Sequence, residues 1–339
     1  MSKKKDNSFS LSTFFRKDQN APRSLLAFEW VIIIYAALTA IYVAVMYSKL
    51  PNPNSMLVMR VQNVAILLAM WAVYRLYPCR AMMALRIGLQ LLFLGLWYSD
   101  TYEINRIMPN LNHVFAAAEQ SIFGCQPALL FSQNFSSPWF GELMCVGYGS
   151  YFPMLAVVSV FYLICRNEEF QKMAFVLFAT FFIHYVIFDL LPVTGPQYYY
   201  QAVGDSEIAR GIFPNLNDYF LTHMDRSPIP GNMGGPFYEI VHAAHEAGER
   251  PTAAFPSSHM SVTFVLVLLS WRTRNRWLIG CVTTLFVLMF FATFYIKAHY
   301  VIDAMAGIIS GAICYMVFMR CPDKWVGLVP HKKKKGRKR

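Results

Sequence analysis

Charge is scarce in this chain. Asp, Glu, Lys and Arg make up 14% of its 339 residues, against about 25% in soluble domains, which argues against a water-soluble globular protein. A redox or metal scaffold is missing too. The seven cysteines (Cys79, Cys125, Cys145, Cys165, Cys281, Cys314 and Cys321) include no C-x-x-C pair, so no disulfide framework can be read. Most of them lie in or beside apolar stretches, where cysteine behaves as a small hydrophobe. No cleavable signal peptide is expected, because residues 1–27 are largely polar and the apolar run after them is too long for a signal core. No internal repeat is visible.

What the chain does contain is apolar sequence in runs of membrane-spanning length. Hydrophobic residues reach 56% and gather into stretches near the roughly 20 residues that cross a bilayer's hydrocarbon core. Eight candidate helices follow, at 28–48, 56–76, 81–99, 139–165, 170–193, 257–271, 276–298 and 299–321. The expected fold is all-α, a polytopic membrane helix bundle of about eight transmembrane helices. The sixth run is short and is expected to begin a little before Ser257 or to tilt. Two polar stretches, 100–138 and 194–256, interrupt the pattern. The second is rich in Pro, Gly, Tyr, His and Glu, a composition suited to an ordered loop or lid.

The net charge of +11 does not point to nucleic acid, because it sits at the ends. Lys3, Lys4, Lys5, Arg16, Lys17 and Arg23 form a basic head, and His331–Arg339 a basic tail. Such ends read as cytoplasmic anchors for anionic lipid. With a cytosolic N-terminus, only Lys49, Arg60, Arg106, Arg210, Arg226, Arg250 and Lys297 of the 30 Lys and Arg residues fall on the other side. Positive-inside asymmetry therefore predicts cytosolic termini and places both long loops outside the cytosol. The absence of organelle-type retrieval signals leans towards a bacterial cell membrane, the inner one.

Two short segments carry chemistry. Phe255-Pro256-Ser257-Ser258-His259 closes the long loop, and His299-Tyr300-Val301-Ile302-Asp303 opens the eighth helix. His299 and Asp303 are spaced to share one helical face, where a carboxylate can orient an imidazole and raise its basicity. Between His259 and His299 the chain has room for one helix down, a basic turn at Trp271–Arg276 and one helix back. Both imidazoles then return to the same extracytoplasmic face. One histidine can attack phosphorus while the other protonates a leaving group, as two-step transfer through a phosphohistidine requires. Ser257 and Ser258 would lie at a helix start whose free amides can hold phosphate oxygens.

These motifs resemble those of the type-2 phosphatidic acid phosphatase superfamily, and in particular its inositolphosphorylceramide-synthase-like (inositolphosphotransferase) branch. The superfamily shows the blocks K-x6-R-P, P-S-G-H and S-R-x5-H-x3-D. Pro256-Ser257-Ser258-His259 is similar to the second, and His299 to Asp303 to the end of the third. The segment from Leu191 to Tyr199, with Asp100–Arg106, Phe123–Pro127 and Glu142–Met144, resembles the synthase-like branch. The resemblance implies His299 as nucleophile, Asp303 as its orienting acid, His259 as general acid and Ser257 as a phosphate ligand, with no metal or other cofactor. It also implies a six-helix lipid phosphatase or phosphotransferase core at 79–321. The domain organisation expected is then a basic cytosolic segment at 1–27, two additional transmembrane helices at 28–78, that core, and a basic tail at 322–339.

The blocks' basic residues are replaced. Gln197 stands in the first-block region beside Tyr198, and Ala292-Thr293 replace Ser-Arg. Phosphate needs cations, so Lys297 is the substitute expected, with Arg106, Arg210 and Arg250 behind it. Asp100, Glu103 and Arg106 cap the third span, either as headgroup ligands or as a structural ion cluster. His184 and Asp189, inside the fifth span, read as a structural pair. His242 and His245 fit an exposed loop helix better than a metal pair. The reading that results is a membrane-embedded lipid phosphotransferase, or a lipid phosphate phosphatase if water is the acceptor. Its partners would be a phospholipid or sphingolipid, with an alcohol acceptor for transfer. A transporter is the alternative from another class, and a catalytically dead scaffold of the same fold is a further one.

Overall fold

A computed structural model describes residues 11–19, 21–231 and 234–326. Lys3, Lys4, Lys5 and the tail His331–Arg339 lie outside the described residues. Long helices dominate: α1 (Ala27–Val45), α2 (Pro53–Leu76), α3 (Arg80–Asn105), α4 (Asn112–Phe123), α5 (Pro127–Asn134), α6 (Pro138–Gly149), α7 (Tyr151–Cys165), α8 (Phe170–Leu190), α9 (Pro196–Val203), α10 (Pro236–Gly248), α11 (Ser258–Thr273), α12 (Arg276–Tyr295) and α13 (Val301–Met319). Proline opens α2, α5, α6, α9 and α10, where its missing N–H costs nothing and its fixed φ suits the first turn. Asn275 caps α12 by accepting from the Leu278 amide at 2.9 Å.

Among the described residues six helices, α1, α2, α3, α8, α12 and α13, are long and apolar enough to cross a membrane. The expected fourth span is broken. α6 and α7 qualify only together and meet at a 42° bend. Pro153 explains the break, since it has no N–H to give to the Gly149 carbonyl and its ring crowds that turn. The expected sixth span, α11, begins at Ser258 and not earlier, because Ser257 caps it and Pro256 precedes it. Its 16 residues reach about 24 Å at the helical rise, short of the roughly 30 Å hydrocarbon core. Its first residues, Ser258 and Met260 among them, are buried in the bundle.

α8 is the most buried of the candidate spans and packs against α1, α3, α11 and α13. α11 packs along α13. Two glycines one turn apart allow that approach. A Cβ on Gly307 would strike the Ser257 carbonyl, and one on Gly311 would lie 2.6 Å from the Ser261 carbonyl. Small residues at this spacing are how membrane helices bring their backbones together.

Buried polar contacts tie the first three helices to one another and to the rest. Arg86 on α3 pairs with Glu29 on α1, its Nε 2.5 Å from Oε1. Tyr35 on α1 donates to Asp189 on α8 at 3.0 Å. Asp189 is therefore not the partner of His184. That imidazole meets the Thr180 carbonyl at 2.8 Å and Ser310 Oγ on α13 at 3.0 Å. Each of the two polar residues joins α8 to a different neighbour.

Candidate active site

The two motif segments are sewn together by backbone. The Ser257 amide donates to the Asp303 carbonyl at 3.0 Å, so the starts of α11 and α13 lie side by side. His299 Nε2 stands 3.5 Å from His259 Nδ1. His299 is 4% exposed, whereas His259 keeps partial exposure and is the more open of the two. The His259 ring lies against two aromatic rings flanking the α6–α7 bend, Tyr148 at 4.8 Å and Tyr151 at 4.5 Å. The bend thus has a use: it brings both tyrosines onto one imidazole.

The tautomer of His299 is set by a carbonyl. Its Nδ1 lies 2.8 Å from the Ala254 oxygen, which can only accept, so Nδ1 carries the proton and Nε2 keeps its lone pair. Burial lowers the His299 pKa to about 4, against which the Ala254 bond pulls weakly upward. The ring is therefore neutral at pH 7. Ala253 and Lys297, on either side of this contact, hold left-handed backbone with φ of 64° and 63°. Non-glycine residues adopt that region at a cost of about 1–3 kcal/mol, typically where a site demands it.

Asp303 differs from the expected orienting acid. Its Oδ2 is 4.0 Å from His299 Nδ1 and accepts instead from the Tyr300 amide at 2.8 Å. The side chain is a helix cap first and a neighbour of the imidazole second. Beside it lies a residue that the sequence did not single out. Glu119, on α4 and wholly buried, accepts from the amides of Val301 and Ile302 at 2.9 and 3.1 Å. Burial raises its pKa while the two amides pull it back. A lone acid in Ala116-Ala117-Ala118-Glu119 offers no motif or spacing by which it could have been found.

Ser257 is buried, and its Oγ accepts from the Met260 amide at 3.3 Å, so its hydroxyl is used as the cap of α11. Ser258 and His259 follow as the first residues of that helix, and no acceptor for their amides occurs among the described residues. Lys297 is buried, with its ammonium 3.5 Å from Asp205 Oδ2. Gln197 bonds three ways: its amide to the Lys297 carbonyl at 2.6 Å, its carbonyl to the Ser227 amide, and its Nε2 to Glu249 Oε1 at 2.9 Å. Tyr198 is buried, and the Arg226 charge acts on its hydroxyl; Arg226 is not among the cations expected from the sequence.

Two expected ligands sit elsewhere. Asp100 forms a buried bidentate pair with Arg60, at 2.5 and 3.1 Å. It takes the structural one of its two open roles, locking α2 to α3. Arg106 lies over the Tyr102 ring at 4.8 Å and donates to the Leu221 carbonyl at 3.1 Å. It lines a surface cleft with Asn217, Asp218 and Pro251 and is not placed at the histidine pair. His242 stacks on Tyr238, 5.8 Å between rings. No group of three His, Cys, Asp or Glu able to hold a metal occurs among the described residues.

The fold and the site together define a class: a multi-pass helical membrane protein with a recessed pair of histidines at the starts of two adjacent helices. A family model of the PAP2 superfamily matches residues 113–317, and the chain belongs to that superfamily. The match begins after α3. Membership brings with it an enzyme of the lipid phosphatase or phosphotransferase type, with a lipid substrate. No curated protein and no solved structure matched the chain.

Proposed function

We propose that the chain is a lipid phosphotransferase of the inositolphosphotransferase-like kind that works through a phosphohistidine on His299. The observation that carries this reading is the His299–His259 contact of 3.5 Å, with the Nε2 lone pair of a neutral imidazole turned to the second histidine. In the first step Nε2 attacks phosphorus and the P–O bond to the leaving group breaks. His259 gives its proton to the departing oxygen, which leaves as an alcohol. In the second step an acceptor hydroxyl attacks the same phosphorus, its proton passes to His259, and the N–P bond breaks. Protein residues carry out both steps in this proposal, with no metal required.

Phosphate oxygens would be held by the free amides at the start of α11 and, after release from Asp205, by Lys297. Charge asymmetry supports an extracytoplasmic site and cytosolic termini. The six spans from α3 onward would form the catalytic core, with α1 and α2 as additions.

Transfer is favoured over hydrolysis because α9 and α10, in the long loop before α11, provide a cover over the site. Glu142 on α6 accepts from the first two amides of α10, Phe237 and Tyr238, at 3.0 Å each. A clamped lid of this kind excludes water and can offer contacts to a second substrate. The test supplies purified protein with a labelled phospholipid, with and without ceramide or diacylglycerol. Transfer gives an acceptor-dependent new phospholipid and little free phosphate. Full-rate inorganic phosphate whatever alcohol is present would make the protein a lipid phosphate phosphatase.

A further inference from the structure

The lid helix α10 carries an imidazole–carboxylate pair that the proposed chemistry does not use. His245 and Glu249 are one turn apart, with Nε2 3.1 Å from Oε2. The His245 side chain is only 7% exposed, yet neither of these two atoms makes an aligned hydrogen bond. Burial lowers the His245 pKa, with Glu249 pulling it partly back. Two buried polar atoms left in this state, one able to donate and one able to accept, are costly unless something completes them.

Their surroundings are tied to the histidine pair. The Tyr148 ring contacts both His245, at 5.6 Å, and His259, at 4.8 Å. The other oxygen of Glu249 accepts from Gln197, whose amide is bonded to the Lys297 carbonyl, two residues from the nucleophile. Arg226 lies 3.8 Å from Glu249 and also pairs with Glu246. With two carboxylates around it, this guanidinium is already neutralised, so the subsite does not suit an extra anion. Its chemistry suits a hydroxyl, which donates to a carboxylate oxygen while accepting from an imidazole N–H.

We propose that His245 and Glu249 form the subsite that binds the accepting alcohol, on the lid side of Tyr148. The inference rests on the transfer reading above. The lid then has a direct role: it anchors the acceptor alcohol beside Tyr148, whose ring also lies against His259. His245 and Glu249 act as positioning residues for the second step and leave the first step alone.

The experiment separates the two half-reactions in the full-length protein, using a labelled short-chain phosphoinositide as donor and short-chain ceramide as acceptor. His245→Gln and Glu249→Gln are compared with the unaltered chain. Expected is a rise in acceptor KM of about 10- to 100-fold, the loss of one charged or buried hydrogen bond, with the donor's first-turnover release within about twofold. Intact first-turnover release also shows that the variants are folded. If the unaltered protein transfers but both variants keep its acceptor KM, this inference is overturned while the transfer reading stands. Equal loss of both half-reactions overturns it as well, since the pair would then hold up the whole site. If the unaltered protein forms no acceptor-dependent product, the transfer reading itself fails, and the inference with it.

Discussion

The starts of α11 and α13 lie side by side, and they are furnished in opposite ways. Each presents the positive end of a helix and a first turn of amides without intrahelical acceptors. At α13 those amides are filled: Tyr300 by Asp303, and Val301 and Ile302 by Glu119. At α11 the Ser257 hydroxyl takes the Met260 amide, while the Ser258 and His259 amides have no acceptor among the described residues. The same local physics thus serves two ends. On the proposed reading, the filled start fixes the nucleophile's helix in place, and the open start waits for the substrate's anion.

The largest effect should come from the proposed nucleophile, carried on the filled side. His299→Ala should remove activity by a factor of about 10^4 or more, with no acid-labile phosphoenzyme, because the proposed N–P bond forms on its Nε2. A normal rate from a folded variant would end the phosphohistidine proposal. The same residue makes a pH prediction. Its pKa is lowered to about 4, so the lone pair is present above that value and lost as pH falls through it. The acid limb of phosphoenzyme formation should therefore lie near pH 4 and not near the ordinary 6.5. A limb at 6–7 would mean that His299 is more open to water in the working enzyme.

Next come the two acids that fill α13. By resemblance Asp303 is an orienting acid, whose replacement in a triad costs about 10^4. The structure gives the orienting role to the Ala254 carbonyl and leaves Asp303 at 4.0 Å. Asp303→Asn keeps an oxygen for the Tyr300 amide and should lose only about 10- to 100-fold in kcat. A loss of the full triad size would restore the acid to its expected role. Glu119→Gln offers one acceptor to two buried amides, and should lower stability by about 1–3 kcal/mol with roughly a tenfold loss of rate. Thermal melting in detergent alongside the assay would check both. A Glu119→Gln protein that melts and turns over normally would show that the start of α13 needs no filling.

Much of this contrast could be read in advance. The spans, the motif histidines and their return to one end of the bundle follow from apolar run length and from the 40-residue interval between His259 and His299, which local hydropathy records faithfully. What could not be read are contacts made by backbone or across long sequence distances. The Ala254 carbonyl has no side chain to notice, and Glu119 reaches its two amides from 182 and 183 residues away. Asp100 and Arg60 look in sequence like an acid and a base near one membrane face, yet packing of α2 on α3 commits them to each other. The bend at Ser150 hid within one apolar run, because hydropathy does not register what Pro153 does to the helix ladder.

The smallest effect belongs to Ser257, and it sharpens the comparison most finely. By resemblance its hydroxyl is a phosphate ligand; in the structure that hydroxyl caps α11 at 3.3 Å, a long bond. The two roles predict different losses for Ser257→Ala. A lost phosphate ligand would raise the donor KM by about tenfold or more and leave the melting transition alone, since a hydrogen bond to a charged group contributes about 1.5–3 kcal/mol. A lost cap would lower stability by about 1 kcal/mol and shift the donor KM by no more than about threefold, because the Ser258 and His259 amides would still meet the phosphate. The geometry favours the second outcome. Donor KM and thermal unfolding, measured on the same preparation, decide it: a tenfold KM change at unchanged stability would show that the hydroxyl leaves Met260 for the substrate, and that the start of α11 is more open than it stands here.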